Sequence, residues 1–165
     1  MQTYPGATRA RLATPSDAAE LVRLRALMFD SVGVDTSDPL WRDACLAHLQ
    51  ANLGGASLLG AVVDAPGDTG LAAGGLADIL ARPPGPSLPS GRSGYLGSIS
   101  TDPRFQRRGY ARAVMVLLLD ELRSAGVDRV ELHATPAGEP LYRSLGFAER
   151  RGGLEMRLVL GRSGD

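Results

Sequence analysis

The sequence predicts a single mixed α/β domain, and three observations carry that prediction. Its 165 residues suit one globular domain spanning 1–165, long enough to bury a sizeable core. Helical and strand periodicities both occur along the chain, with no internal repeat. The segment 82–92, with four prolines and two glycines, is irregular but too short to link two domains, because a strand pattern resumes at Gly94.

Residues 8–13 read as a short strand. Thr14-Pro15-Ser16-Asp17 then starts a helix with a hydroxyl cap, a first-turn proline and an acid, and Leu21, Leu24, Arg25 and Met28 extend it to about Asp30. A loop over 31–38 precedes a second helix, opened by Pro39 and running to about Asn52. Strand patterns at 57–64 and 70–80 flank the turn A-P-G-D-T and predict a hairpin. The glycines of the second run predict a bulge or a close backbone approach. A strand at 94–101, a strongly apolar helix at 109–125 that should be the most buried, and a strand at 128–134 follow. A short helix at 138–145 stops at Gly146, and two closing strands at 147–151 and 154–160 are joined by Gly152-Gly153.

Composition excludes several chemistries. The formal net charge is zero, which gives no reason to expect a nucleic-acid or membrane partner. All 18 basic residues are arginine, so lysine Schiff-base chemistry is absent. Cys45 is the only cysteine and reads as a small buried hydrophobe; no disulfide or zinc cluster follows, and no metal is expected. The N-terminus lacks a signal pattern and no 18-residue apolar run occurs, so a soluble cytoplasmic protein is the expectation.

The candidate site is R-F-Q-R-R-G-Y-A-R, residues 104–112. A strand end followed by a glycine turn and a helix start presents unpaired N–H groups reinforced by the helix dipole. Gly109 lets a ligand approach the backbone, and Arg104, Arg107, Arg108 and Arg112 supply charge. A pyrophosphate suits this turn, although the same residues also read as a solvated helix start. Neither G-x-x-x-x-G-K-[ST] nor a strand-linked G-x-G-x-x-G is present.

Gln106, Arg107, Arg108, Gly109, Tyr110 and Ala111 together resemble the coenzyme A pyrophosphate loop of the GNAT superfamily of N-acetyltransferases. Upstream, Y-L-G-S-I-S-T-D-P resembles that family's pantetheine-pairing strand, with Ile99, Ser100 and Thr101 as its contacting segment. Downstream, E-P-L-Y-R-S-L-G-F (139–147) resembles its Leu-Tyr…Gly-Phe signature. An R-x-A-T-P-x-D opening and a closing M-R-L extend the resemblance over most of the chain. It implies a GNAT-like fold, a mixed and mostly antiparallel central sheet flanked by helices. It further implies acetyl-CoA as co-substrate and transfer of acetyl to an unidentified amine of a small molecule or peptide.

By the same resemblance Tyr142 is the general acid for the leaving thiolate, a phenol of pKa about 10 that is protonated at neutral pH. It also reads as a residue that orients the cofactor or anchors the short helix. A backbone N–H near Ile99 or Ser100 would meet the oxyanion. Some members place a glutamate where Tyr95 stands, so the base is open: His133, directly or through water, or no residue at all. His133 also reads as a loop-bonded histidine, and His48 as structural.

The resemblance places the acceptor between 30–41, with Asp30, Asp35, Asp38 and Trp41 for a cation, and 82–92, with Arg82 and Arg92 for a carboxylate. No cysteine lies near the motif, which favours direct transfer in a ternary complex over a ping-pong route. A homodimer is left open. The competing readings are a non-catalytic acyl-CoA-binding regulatory domain and, against the neutral charge, a nucleic-acid-binding domain.

Overall fold

The computed structural model describes residues 9–67, 69–150 and 156–160. The chain divides into two compact units, Met1–His133 and Ala134–Asp165. The first contains β1 (Arg11–Leu12), α1 (Ala18–Ser31), α2 (Leu40–Asn52), β2 (Leu58–Asp64), β3 (Leu71–Ala81), β4 (Arg92–Thr101), α3 (Tyr110–Ser124) and β5 (Arg129–Leu132). The second contains α4 (Glu139–Ser144).

The sheet runs in the order β1-β2-β3-β4-β5, antiparallel except for the parallel β4–β5 pair. That is the mixed, mostly antiparallel arrangement expected. The chain enters α1 through a short 3-10 turn at Pro15–Asp17, where the Thr14 N–H donates to Asp17 Oδ2 at 2.8 Å. Arg11 holds this start to the sheet by donating to Asp17 at 2.8 Å and to Asp64 of β2 at 2.8 Å.

Helices cover both faces of the sheet, and two adjacent glycines of β3 set how closely. A Cβ built on Gly74 would stand 2.7 Å from Leu21 and 3.3 Å from Leu24 of α1. One on Gly75 would stand 2.5 Å from Ile99 Cδ1 and 2.9 Å from Val114 of α3. Successive strand residues face opposite sides, so α1 and α3 sandwich this glycine pair. β3 also carries the expected irregularity. Gly74 pairs with Ser100 and Leu76 with Gly97, so β4 has one residue more than β3 across this interval. Ser98, within that bulge, has φ 55°.

Two expectations are corrected. α3 buries Val114, Met115, Leu118 and Leu122, but α1 buries five residues, so α3 is not the most buried helix. Its apolar surface runs past the sheet: Val116 points outward and is 41% exposed. The closing hairpin is not formed by the described parts of its sequence, since 147–150 and 156–160 carry no strand. Residues 151–155, including the Gly152-Gly153 turn, lie outside the described residues. A glycine turn signal specifies pairing only where a third element covers the hairpin's apolar face, and Met156, Leu158, Val159 and Leu160 are each at least 78% exposed.

Replacing Gly75 by alanine is expected to destabilise the protein by roughly 1–3 kcal/mol through overpacking against Val114 and Ile99. Urea denaturation checks this; an unchanged midpoint would show that α3 withdraws without cost.

Candidate active site

After β4, Asp102 caps a second 3-10 turn, Pro103–Phe105, by accepting the Arg104 N–H at 3.0 Å. Gln106 is extended, Arg107 turns left-handed at φ 60°, and Gly109 does so again at φ 79° as the N-cap of α3. Such angles favour glycine. No described protein atom lies within 4 Å of where a Gly109 Cβ would stand, so packing does not explain the glycine; its φ does. The first helical N–H groups, of Tyr110, Ala111 and Arg112, precede any intrahelical acceptor. Gln106, Arg107, Arg108 and Gly109 are exposed, while Tyr110 and Ala111 are half-buried. A wet, N–H-rich turn with positive side chains is suited to an anion.

The arginines divide their work in a way the sequence did not reveal. Arg104 is turned back to Asp102, donating from Nε at 3.1 Å and Nη2 at 3.0 Å. Arg23 of α1 donates to the same carboxylate at 2.7 Å, and also to Glu20 at 2.8 Å and the Leu71 carbonyl at 2.9 Å. Asp102 is 3% exposed. Hydrogen bonds from Arg104, then Arg23, hold its pKa far below the usual carboxylate range. Arg104 is therefore committed to the turn's architecture. Arg104 and Arg108 also cover the Phe105 ring, at 5.1 and 5.5 Å from its centroid.

β4 brings the expected pantetheine segment beside this turn. β5 pairs with β4 only from Ser93 to Leu96, so from Gly97 onward the described ladder engages β4 on the β3 side alone. The Ile99 side chain packs over Gly75, and the Ser100 hydroxyl donates to the Leu24 carbonyl at 2.9 Å. Thr101 is half-buried. With those two side chains occupied in packing, the backbone is what Ile99 and Ser100 can offer a ligand. The bulge before them leaves ladder groups unmatched.

A cavity of about 520 Å³ lies on the opposite face from α3, between α1, α2 and strands β2 and β3. Its apolar wall includes Phe29, Trp41, Leu58 and Leu76, and its polar groups include Arg25 and Asp78. Arg25 donates from Nη1 to the Ser98 hydroxyl, joining the cavity to the bulge. Val34, Asp35, Thr36 and Trp41 of the 30–41 segment line this cavity, whereas Asp30 and Asp38 do not, and the segment's acids build turns. Asp30 accepts from the Thr36 hydroxyl at 2.6 Å, Asp35 from the Ser37 N–H at 2.9 Å and Asp38 from the Leu40 N–H at 2.9 Å. Segment 82–92 is closed on itself by the Arg82 N–H to Gly91 carbonyl bond of 2.7 Å, and neither Arg82 nor Arg92 lines the cavity. Cys45 does line it, yet burial pushes its thiol pKa up, away from nucleophilic thiolate. Asp78 went unnoticed in the sequence because it stands alone in an apolar strand; only its cross-strand and helix neighbours reveal the cavity. His48, read as structural, also lines it.

The exposed His133 ring follows β5, and its Nδ1 lies 3.1 Å from the Tyr95 hydroxyl of β4. It does not line the cavity. In the second unit, the Tyr142 ring packs edge-on against Phe147 at 6.2 Å and closes over Gly138, where a Cβ would stand 2.8 Å from it. Burial pushes the phenol pKa above its ordinary value. Its hydroxyl makes no hydrogen bond among the described residues, so it keeps a proton it is free to donate.

The profile of the Acetyltransferase (GNAT) family matches residues 29–147. The chain therefore belongs to the acetyltransferase (GNAT) family and is an enzyme of the acyltransferase class. A GCN5-related N-acetyltransferase from Ralstonia eutropha JMP134 is 27% identical, with a TM-score of 0.74 over 90% of this chain and 97% of that one. A predicted acetyltransferase from Clostridium acetobutylicum, solved with acetyl-CoA, is 21% identical with a TM-score of 0.79, over 90% and 95% of the two chains. In sequence, the [Ribosomal protein bS18]-alanine N-acetyltransferase of Salmonella typhimurium is 44% identical over 57 residues, 33% of this chain and 38% of that protein. No helix among the described residues is long and apolar enough to cross a membrane.

Asp102→Asn is expected to cost roughly 1.5–3 kcal/mol at neutral pH, since both arginines lose a charged acceptor. The folded carboxyl's pKa lies below its unfolded value of about 3.9. Its contribution is thus complete above that value and fades as the pH falls through it. Denaturation midpoints of wild type and variant should converge in acid; a constant gap would refute the ionic origin.

Proposed function

We propose that this enzyme transfers the acetyl group of acetyl-CoA directly to an amine within a ternary complex. The observation that carries the reading is the turn Gln106–Ala111, where left-handed Arg107 and Gly109 open α3 directly after the one-sided edge of β4. In this reading the pyrophosphate sits on the N–H groups and side chains of Gln106, Arg107, Arg108, Gly109, Tyr110 and Ala111. The pantetheine amides pair with the backbone of Ile99, Ser100 and Thr101. The family match runs across the boundary between the two units, which supports one acetyltransferase domain along the chain.

The neutral amine nitrogen attacks the thioester carbonyl carbon, forming the C–N bond, while a β4 backbone N–H near the bulge receives the oxyanion. The C–S bond then breaks, and Tyr142 protonates the departing thiolate. The amine's surplus proton passes to His133, held by Tyr95, or to water. The raised thiol pKa of Cys45 speaks against an acetyl-cysteine intermediate. The cavity of the first unit is the acceptor site in this reading, supported by its connection through Arg25 to the β4 bulge. The partial likeness to an alanine N-acetyltransferase makes a peptide N-terminus one acceptor to assay beside small amines.

Gly109→Glu should abolish acetyl-CoA binding in calorimetry, because it puts a carboxylate against the phosphates and strains φ; retained affinity would remove the pyrophosphate assignment. Tyr142→Phe should lower kcat by roughly 10²-fold or more with cofactor affinity little changed. An unaffected rate would leave Tyr142 as a packing residue. Tight cofactor binding without thiol release on any amine would favour a non-catalytic acyl-CoA-binding regulatory domain.

A further inference from the structure

We propose that Arg25 and Ser98 are positioning residues: the hydrogen bond between them holds the β4 bulge in the form that presents the following backbone to the pantetheine arm and thioester of coenzyme A. This deepens the acetyltransferase reading above, on which it rests. Ser98 has φ 55°, a left-handed conformation that glycine takes freely and other residues take at a cost. Such a conformation persists where its surroundings over-determine it. A serine there supplies what a glycine would not, a hydroxyl, and Arg25 of α1 donates to it from Nη1.

The donor is itself held. The Arg25 guanidinium lies over the Phe29 ring, 4.8 Å from its centroid, and Phe29 meets Trp41 of α2 edge-on at 5.6 Å. Stacking fixes the plane of a guanidinium, and with it the direction from which Nη1 reaches β4. The next two strand residues are anchored as well. Ile99 packs over Gly75 beside Val114 of α3, and the Ser100 hydroxyl donates to the carbonyl of Leu24, the residue before Arg25. Ser98 and Ser100 are thus tied to adjacent residues of α1, one on each side of Ile99. With Ile99 and Ser100 anchored, the peptide joining Ser98 to Ile99 is the part that turns if Ser98 relaxes to a negative φ. Relaxation would re-aim that peptide's N–H and C=O, on a stretch of β4 with no described partner on the β5 side.

Calorimetric titration of the full chain with acetyl-CoA and, separately, with 3′-phospho-ADP, the half of the cofactor that lacks the pantetheine arm, tests this without an acceptor. Ser98→Ala, which keeps the strain and loses the tether, should weaken acetyl-CoA binding roughly tenfold and leave 3′-phospho-ADP binding unchanged. Arg25→Met should do the same, and the double variant should bind no more weakly than either single one. Ser98→Gly should restore most of the affinity, alone and combined with Arg25→Met, because glycine takes this φ unaided. A Ser98→Gly variant as weak as Ser98→Ala would mean that the hydroxyl touches the ligand itself, and would overturn the proposal. So would additive losses, an equal loss for both ligands, or unchanged acetyl-CoA binding. Should Arg25→Met fold poorly, Ser98→Ala and Ser98→Gly decide alone. Failure of the unmodified chain to bind either ligand would instead sink the acetyltransferase reading, so the two failures are distinguishable.

Discussion

The carboxylate of Asp102 is where the structure's separate parts are fastened. It accepts from the backbone and side chain of Arg104 and from Arg23, and its own N–H donates to the Ala72 carbonyl at 2.9 Å. One buried residue thereby joins α1, the start of β3, the end of β4 and the turn into α3. Burying a charge is expensive, and pairing it mainly recovers that expense. What the arrangement provides is position: the first turn of α3 stands at a set place relative to the β4 edge. The proposed phosphate recognition and backbone pairing of one ligand would need that placement.

A second constraint is the glycine pair in β3. Gly74 and Gly75 let α1 and α3 approach opposite faces of the same strand. Opposite them, β4 accommodates an extra residue, and Ser98 adopts a left-handed φ. Past this bulge β4 has no described partner on the β5 side. The same bulge carries Ser98, which receives Arg25 and links the strand to the cavity behind it.

Much of this was legible because it is local. Caps, prolines and glycines act within a few residues, so the helix starts at Pro15 and Pro39, the β2–β3 hairpin and the turn at Gly109 stand close to where the sequence put them. The glycine run in β3 announced both a bulge and a close approach, and both are present. Side-chain employment was less legible. Arg104 reads as one more phosphate-facing arginine, yet an aspartate two residues away claims it. Asp30, Asp35 and Asp38 read as a cation site, yet each is engaged by a neighbouring hydroxyl or N–H. Asp78 gave no signal at all. Its meaning depends on α1 and α2, at least 26 residues before it in the chain.

The sequence by itself determined the α/β class, the order of most elements and the glycine turn that opens α3, because each is written in backbone preferences of a few adjacent residues. Only the tertiary structure decided which charges are spent and which are available. That follows from distance in space: a carboxylate's partners are whatever packing brings near it. For Asp102 packing supplied two guanidinium groups, and for Asp78 it supplied a cavity.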